Sequence, residues 1–426
     1  MNNYHLAGLG IGPFHLSLAS LCDKVENLKT VFLEKKPYFS WHPELMFEDA
    51  DMQTSCFKDL VTSADPTSPY SFLNYLVSQG LYFSFLNTNR MVITRKEFEL
   101  YCQWVTSKLE SKLRFNQDVQ NVEFKENLFH ITTTQETITA ENISIATGHR
   151  PRYPRFVDRS LLGKTLFHAK SGELDNLDLK DKKVVVIGGG QTGLEIFTHA
   201  LKGRWNKPSS VVLVSKRANL APLDESNFTN EYFTPNYVDA FFPINEGRKQ
   251  QIVKEQKLAS DGNTPSHLEN LYRHLYLKTL TGEGPKFHIL PMRECLDIQK
   301  QNNGYQVTLS NFFIDETETL NADLVILATG FEQVIPDFLK PISHLIHKDE
   351  SHRFVINKNF DLSWDGPSTN KIYALNFSRH GHGISEPQTS LMAWRSAMII
   401  NDLTRQTHYF KQKPMDTFVQ YTKFED

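Results

Sequence analysis

At 426 residues the chain exceeds one ordinary core and has room for two or three domains built around large ligands. Hydrophobic residues at 40% and charged residues at 22% are ordinary globular usage, which excludes a disordered or fibrous chain. A net charge of −3, from 46 basic and 49 acidic side chains without a long single-sign block, gives no field to hold a polyanion, so nucleic acid is not an expected partner.

Cys22, Cys56, Cys102 and Cys295 are far apart and form no CxxC pair, so neither a disulfide framework nor a metal knuckle is expected. The opening MNNYHLAGLGIGPF goes straight into a strand and a glycine turn, and no apolar run approaches the roughly 20 residues of a membrane span. The expectation is a cytoplasmic protein with reduced thiols and no membrane span.

In chain order, Tyr4 to Leu9 reads as a strand, Phe14 to Cys22 as a helix and Thr30 to Leu33 as a second strand, a βαβ unit. Lys36 to Pro69 is rich in Pro, Trp, His and Phe without periodicity and reads as a structured excursion over a ligand. Arg95 to Leu109 looks helical, and Leu128 to Ile145 looks like alternating strands ending in IATG. KKVVVIGGGQTGLEIFTHAL then restarts the strand, glycine turn and helix, with VVLVSKR as the next strand. Ala221 to about Tyr276 reads as a mainly helical insertion, and the strand from Asp323 to Gly330 is expected to close back onto the first fold. The predicted architecture is α/β, with two Rossmann-like dinucleotide-binding domains and a small, mainly helical substrate insertion. Residues 1–170 and 320–426 would form the first dinucleotide domain, 171–225 and 277–319 the second, and 226–276 the insertion.

The first turn places Gly8, Gly10 and Gly12 where a backbone must turn tightly and approach a pyrophosphate at a helix N-terminus. Pro13 stands in for the usual third glycine and is tolerated there because a first-turn N–H has no helical partner. Glu34, ending the second strand, has the spacing to take ribose hydroxyls. A glycine turn without a ligand is the plainer alternative; strand, helix and acid in register weigh against it. In the second turn Gly188, Gly190 and Gly193 fill the three fingerprint positions, with Gln191 and Thr192 opening the helix. The following strand ends in Ser215, Lys216 and Arg217 rather than an acid, a hydroxyl and two cations where a 2′-phosphate would sit, which favours NADPH over NADH. A solvated basic pair is the alternative. Two nucleotide sites in one chain imply electron flow from a nicotinamide to a retained flavin. The two ATG strand ends, including Thr329 and Gly330, would bring small residues close to cofactors.

With these turns, the segments FSWHP, MQTSCFKDLVTSADPTSPYSFLNYL, FHA and HGISEPQTSL, in this order over nearly the whole chain, resemble the microbial N-hydroxylating flavin monooxygenases. These are the lysine, ornithine and diamine N-hydroxylases of hydroxamate siderophore pathways. The resemblance implies FAD, NADPH and O₂, a small primary amine substrate, a C4a-hydroperoxyflavin that the amine attacks, and a homo-oligomer, tetramer or dimer. It implies Trp41, His42, Met52 and Gln53 near flavin and nicotinamide, Lys58 on a substrate α-carboxylate, Asn230 paired with it, and Ser390 in a loop closing over flavin and amine. Packing is the alternative for Trp41 and His42, and an internal acid or a cofactor phosphate for Lys58.

No dedicated catalytic base is evident. An alkylamine with a pKa of about 10.4 is neutral in only about one molecule in a thousand near pH 7, so positioning and desolvation carry the chemistry. EYFTP and ASDGNT point to the lysine or diamine branch (putrescine, cadaverine), whereas Asn230 points to ornithine; histamine also fits. Asp224, Glu225 and Glu231 would meet a second ammonium or cap local helices. Ketone and sulfide oxygenators are the nearest rivals, but their FxGxxxH linker is not met around Gly163 and His168. A disulfide reductase would need a cysteine pair, and a nucleotide-sensing protein without turnover is the remaining alternative.

Overall fold

The structure is a computed structural model that describes residues 3–411 and 418–423. In the first sheet Asn3–Leu9 runs parallel between Thr30–Leu33 and Thr137–Ile145, and Leu113–Arg114 continues it beyond Thr30–Leu33. All four residues of Thr30–Leu33 are buried, as a parallel strand covered on both faces requires. Thr137–Ile145 is shared: its start pairs antiparallel with Leu128–Thr133, which continues to Val119–Lys125, and its end pairs parallel with Ile372–Ala374. Helix Pro13–Cys22 packs on helix Met392–Thr404, so the chain's last helix backs the first glycine turn.

The second sheet is wholly parallel, in the order Leu166–His168, Leu324–Leu327, Lys183–Ile187, Ser210–Val214, Lys286–Leu290. Two sequence expectations are corrected by it. The strand Leu324–Leu327 does not rejoin the first sheet; it lies beside Lys183–Ile187, with all four residues buried. Its exit is needed there, because Ala328 closes against the second glycine turn. The helical stretch expected to end near Tyr276 also divides in two. Helix Pro265–Thr281 carries Leu268, Leu271 and Leu275 into the same core as Val184, Val186 and Leu213, and is the crossover between Ser210–Val214 and Lys286–Leu290. The shorter helices Pro235–Phe241, Glu246–Glu255 and Leu258–Asp261 form the remaining insertion.

An antiparallel meander, Arg293–Gln301, Gly304–Asn311 and Glu316–Ala322, covers the second sheet by packing Cys295, Ile298, Val307 and Leu309 on Val185, Ile187 and Leu327. Charged ties hold the two nucleotide units together. Arg95, beginning helix Arg95–Lys108, meets the buried Glu195 through a two-point fork at 2.8 and 3.0 Å, and Asp49 meets His199 at 2.9 Å and Lys202 at 3.1 Å. Among the described residues no helix is long and apolar enough to cross a membrane.

Candidate active site

The first glycine turn is built as a cradle. Gly10 has φ +95°, and a Cβ there would stand 2.7 Å from the Ala146 carbonyl oxygen, so the turn lies directly on the end of Thr137–Ile145. Gly8 packs beneath the Phe32 ring. At Gly12, by contrast, a Cβ would meet nothing within 4 Å. Gly12 caps helix Pro13–Cys22 with no side-chain bond, and Pro13 is its first residue, leaving the N-terminal N–H groups free for an anion. Glu34 is buried; its two carboxylate oxygens accept the N–H groups of Ile11 at 2.8 Å and Lys36 at 3.0 Å, which holds the acid at the strand end beside the turn.

His15 was not singled out by sequence reasoning. It is fully buried with Nδ1 2.6 Å from the Gly10 carbonyl and Nε2 2.8 Å from the Ser144 hydroxyl, which fixes the tautomer: Nδ1–H donates and Nε2 accepts. Burial pushes its pKa down to about 4, the carbonyl bond opposing. A neutral histidine thus staples the turn to the neighbouring strand. Its signal was its place, directly after GPF in the first turn of the helix.

The second turn repeats the plan. Gly188 lies against the Ala328 carbonyl, and a Cβ on Gly193 would stand 1.9 Å from the Gly188 oxygen, so helix Gln191–Leu201 starts hard against the strand. Gly190 caps that helix without a side-chain bond and faces open space, where among the described residues a Cβ would meet only Arg217 Nη2, at 3.8 Å. Arg217 Nη1 is buried with no hydrogen-bond partner among the described residues. A cation over an uncapped helix start with an unsatisfied donor is what an anionic nucleotide would complete. Lys216 is exposed nearby, and Thr192 is half-buried in the helix's first turn. Ser215, expected to offer its hydroxyl to a phosphate, is instead buried behind Gly189, where it accepts the Arg217 N–H.

Between the cradles several expected residues converge. Strand Asp51–Ser55 carries buried Met52, exposed Gln53 whose Nε2 lies 3.3 Å from Thr264 Oγ1, and Thr54 whose hydroxyl lies 3.4 Å from that of Ser390. Gln191 accepts the Thr264 N–H at 2.8 Å from the other side. Asn263, absent from the sequence expectations, is fully buried, donates to the Gly189 and Ala221 carbonyls and keeps Oδ1 unpartnered; the DGNT turn that holds it was its only signal. Trp41 donates its backbone N–H to the Glu99 carboxylate and sets its ring edge-on to Phe98 and His42. His42 adopts φ 50°, and its Nδ1 accepts from Lys170 Nζ at 2.8 Å; burial first, then Lys170, lowers its pKa to about 3. Thr329 donates to the Arg152 carbonyl, and the Gly330 carbonyl accepts from His168.

Lys58 is half-buried over the Phe233 ring, 5.9 Å from its centroid, and desolvation lowers its pKa. Among the described residues no carboxylate offsets that lowering. Asn230 sits on the same short helix, Thr229–Phe233, but is exposed and donates its amide to the Glu225 carbonyl, so the expected Lys58–Asn230 partnership is not formed.

Both cradles fit their groups by the open glycine positions, the uncapped helix starts and the unsatisfied Arg217 donor. A chain with two such sites is a two-dinucleotide flavoprotein oxidoreductase. The model of the L-lysine 6-monooxygenase/L-ornithine 5-monooxygenase family matches residues 2–333. The chain is 38% identical to the L-lysine N6-monooxygenase of Escherichia coli, covering 92% of this chain and 93% of that one. Its structure is similar to that of the FAD-bound cadaverine monooxygenase of desferrioxamine biosynthesis from Erwinia amylovora, with TM-score 0.90, 26% identity, and coverage of 100% of this chain and 99% of that one. It is also similar to an ornithine N-hydroxylase of a Kutzneria species with reduced FAD, NADP⁺ and L-ornithine, with TM-score 0.87, 25% identity, and coverage of 95% and 99%. The chain belongs to the L-lysine 6-monooxygenase/L-ornithine 5-monooxygenase family. It is a flavin-dependent N-hydroxylating monooxygenase of primary amines, with FAD and NADPH as cofactors.

Proposed function

We propose that the amine is L-lysine, hydroxylated on its side-chain nitrogen to supply a hydroxamate siderophore. The observation that carries an amino-acid substrate is Lys58, a partly desolvated ammonium with no acidic partner among the described residues, which an α-carboxylate would neutralise and a diamine would not. The likeness to the Escherichia coli enzyme supports lysine over ornithine.

FAD would lie along the Gly8–Pro13 turn with its ribose at Glu34, and NADPH along Gly188–Gly193 with its 2′-phosphate at Arg217 and Lys216. The bound flavin supplies the activated oxygen. The chain's part is to hold the amine neutral and still: Lys58 fixes the carboxylate end, Ser390 and Thr54 stand at the junction, and the apolar walls Met52 and Phe233 strip water from the ammonium, lowering its pKa. The FAD unit would comprise the first sheet with the last helix, the NADPH unit the second sheet with its meander, and residues 226–264 the substrate insertion. The four cysteines, all buried and free, support a reducing cytoplasm. Exposed Val77, Phe83 and Leu86 on one surface segment support a homo-oligomer.

Lys58→Met tests the substrate reading. KM for L-lysine should rise about 10- to 150-fold, the loss of one hydrogen-bonded charge contact of about 1.5–3 kcal/mol, while any turnover of cadaverine stays unchanged. Equal loss for both amines would sink the carboxylate role. The diamine alternative is favoured by the likeness to the cadaverine enzyme, and it predicts cadaverine turnover indifferent to Lys58.

A further inference from the structure

Arg395 and Glu386 form an ion pair at 2.8 Å with both side chains 1% exposed, and no role described so far uses it. The Arg395 guanidinium lies 4.4 Å from the centroid of the Phe14 ring, in the first turn of the flavin-cradle helix, and also donates to the backbone carbonyls of Glu386 and Gln388. Glu386 in turn accepts the Asn376 N–H at 2.7 Å. The Asn376 carbonyl is bonded by Gln333 Nε2 at 2.8 Å and His149 Nε2 at 3.3 Å. His149 follows the first ATG strand end and Gln333 the second. Ser390, two residues beyond Gln388, meets Thr54. The pair therefore touches the flavin helix and the loop that reaches the junction, and is linked through Asn376 to both strand exits.

A buried ion pair is a poor device for stability, since the cost of desolvating both charges offsets their attraction; what it provides is fixed geometry. The planar arginine fork adds direction to that constraint. We propose that Arg395 and Glu386 are positioning residues for oxygen transfer, holding the Gln388–Ser390 loop at a set distance from the flavin helix. In coupled turnover one oxygen atom of O₂ ends on the amine nitrogen and the other in water, with NADPH supplying two electrons. In uncoupled turnover the same NADPH and O₂ give hydrogen peroxide. The pair governs this partition and leaves flavin reduction alone. The proposal rests on the reading that the Gln388–Ser390 loop closes over flavin and amine.

Glu386→Gln keeps the shape and removes the charge. With whichever amine the unaltered enzyme couples best, FAD content and the rate of flavin reduction by NADPH should stay within about twofold, while hydroxylamine per NADPH falls about tenfold with peroxide making up the difference. Glu386→Asp should recover part of the coupling. Unchanged coupling in Glu386→Gln overturns the proposal. So does a parallel fall of FAD content, flavin reduction and coupling in both variants, which is the mark of a merely structural pair. Should Glu386→Gln fail to fold, Arg395→Lys is judged by the same criteria. Ser390→Ala separates the two readings: if it stays coupled while Glu386→Gln does not, Ser390 is not the amine contact and the pair acts through the rest of the loop.

Discussion

Replacing Arg217 by Gln removes a cation that overhangs the second glycine turn, 3.8 Å from where a side chain on Gly190 would begin. Its Nη1 is buried and unpartnered, so a phosphate gains a donor already stripped of water. A hydrogen bond between charged groups contributes about 1.5–3 kcal/mol; as the side chain is only half-buried, the lower end applies, or about 10- to 30-fold in affinity. Lys216 is exposed and screened, and its removal should cost about fivefold or less. The assay is the rate of flavin reduction against NADPH and NADH concentration in a stopped-flow instrument. Arg217→Gln should raise the NADPH concentration needed for half-maximal reduction by that factor while barely moving NADH. An equal change for both nucleotides would refute the assignment to the 2′-phosphate.

Gly12→Ala should fold normally, because its Cβ meets no protein atom within 4 Å, yet bind FAD more weakly, about tenfold or more, by filling the cradle; titration of the apoprotein with FAD measures this. Gly193→Ala should instead lower the melting temperature outright, since its Cβ would stand 1.9 Å from the Gly188 oxygen. His15 and His382 are buried and neutral, with pKa values lowered by desolvation to about 4 and about 3. Below pH 6.5 the unfolded chain binds protons at these sites that the folded chain refuses, so stability should fall as pH drops from 6.5 towards 4, by up to about 1.4 kcal/mol per pH unit for each histidine. Thermal unfolding across that range checks it, and His15→Gln should flatten the slope.

What the chain revealed without its structure was local. Both glycine turns, Glu34 and the strands beside them follow from contiguous patterns in which each residue's neighbours carry the signal. What escaped was set by pairing across long sequence separations. Leu324–Leu327 is four apolar residues that would suit either sheet, and only its register with Lys183–Ile187 decides between them. Helix Pro265–Thr281 follows the insertion helices as one more helical stretch, and only the packing of Leu268, Leu271 and Leu275 on the core of the second sheet marks it as a crossover. Ser215 and Asn230 have suitable chemistry, but their side chains turn to local backbone partners. Asn263 and the Arg395–Glu386 pair matter through carbonyls and rings brought together by the fold, which no spacing rule encodes.

The central claim is tested most directly by the yield of hydroxylamine per NADPH oxidised by the FAD-loaded enzyme with L-lysine, L-ornithine, cadaverine and putrescine in turn. Near-stoichiometric product with L-lysine, and mostly peroxide with the others, is the predicted result. Coupled turnover of a diamine, with L-lysine giving only peroxide, would contradict it.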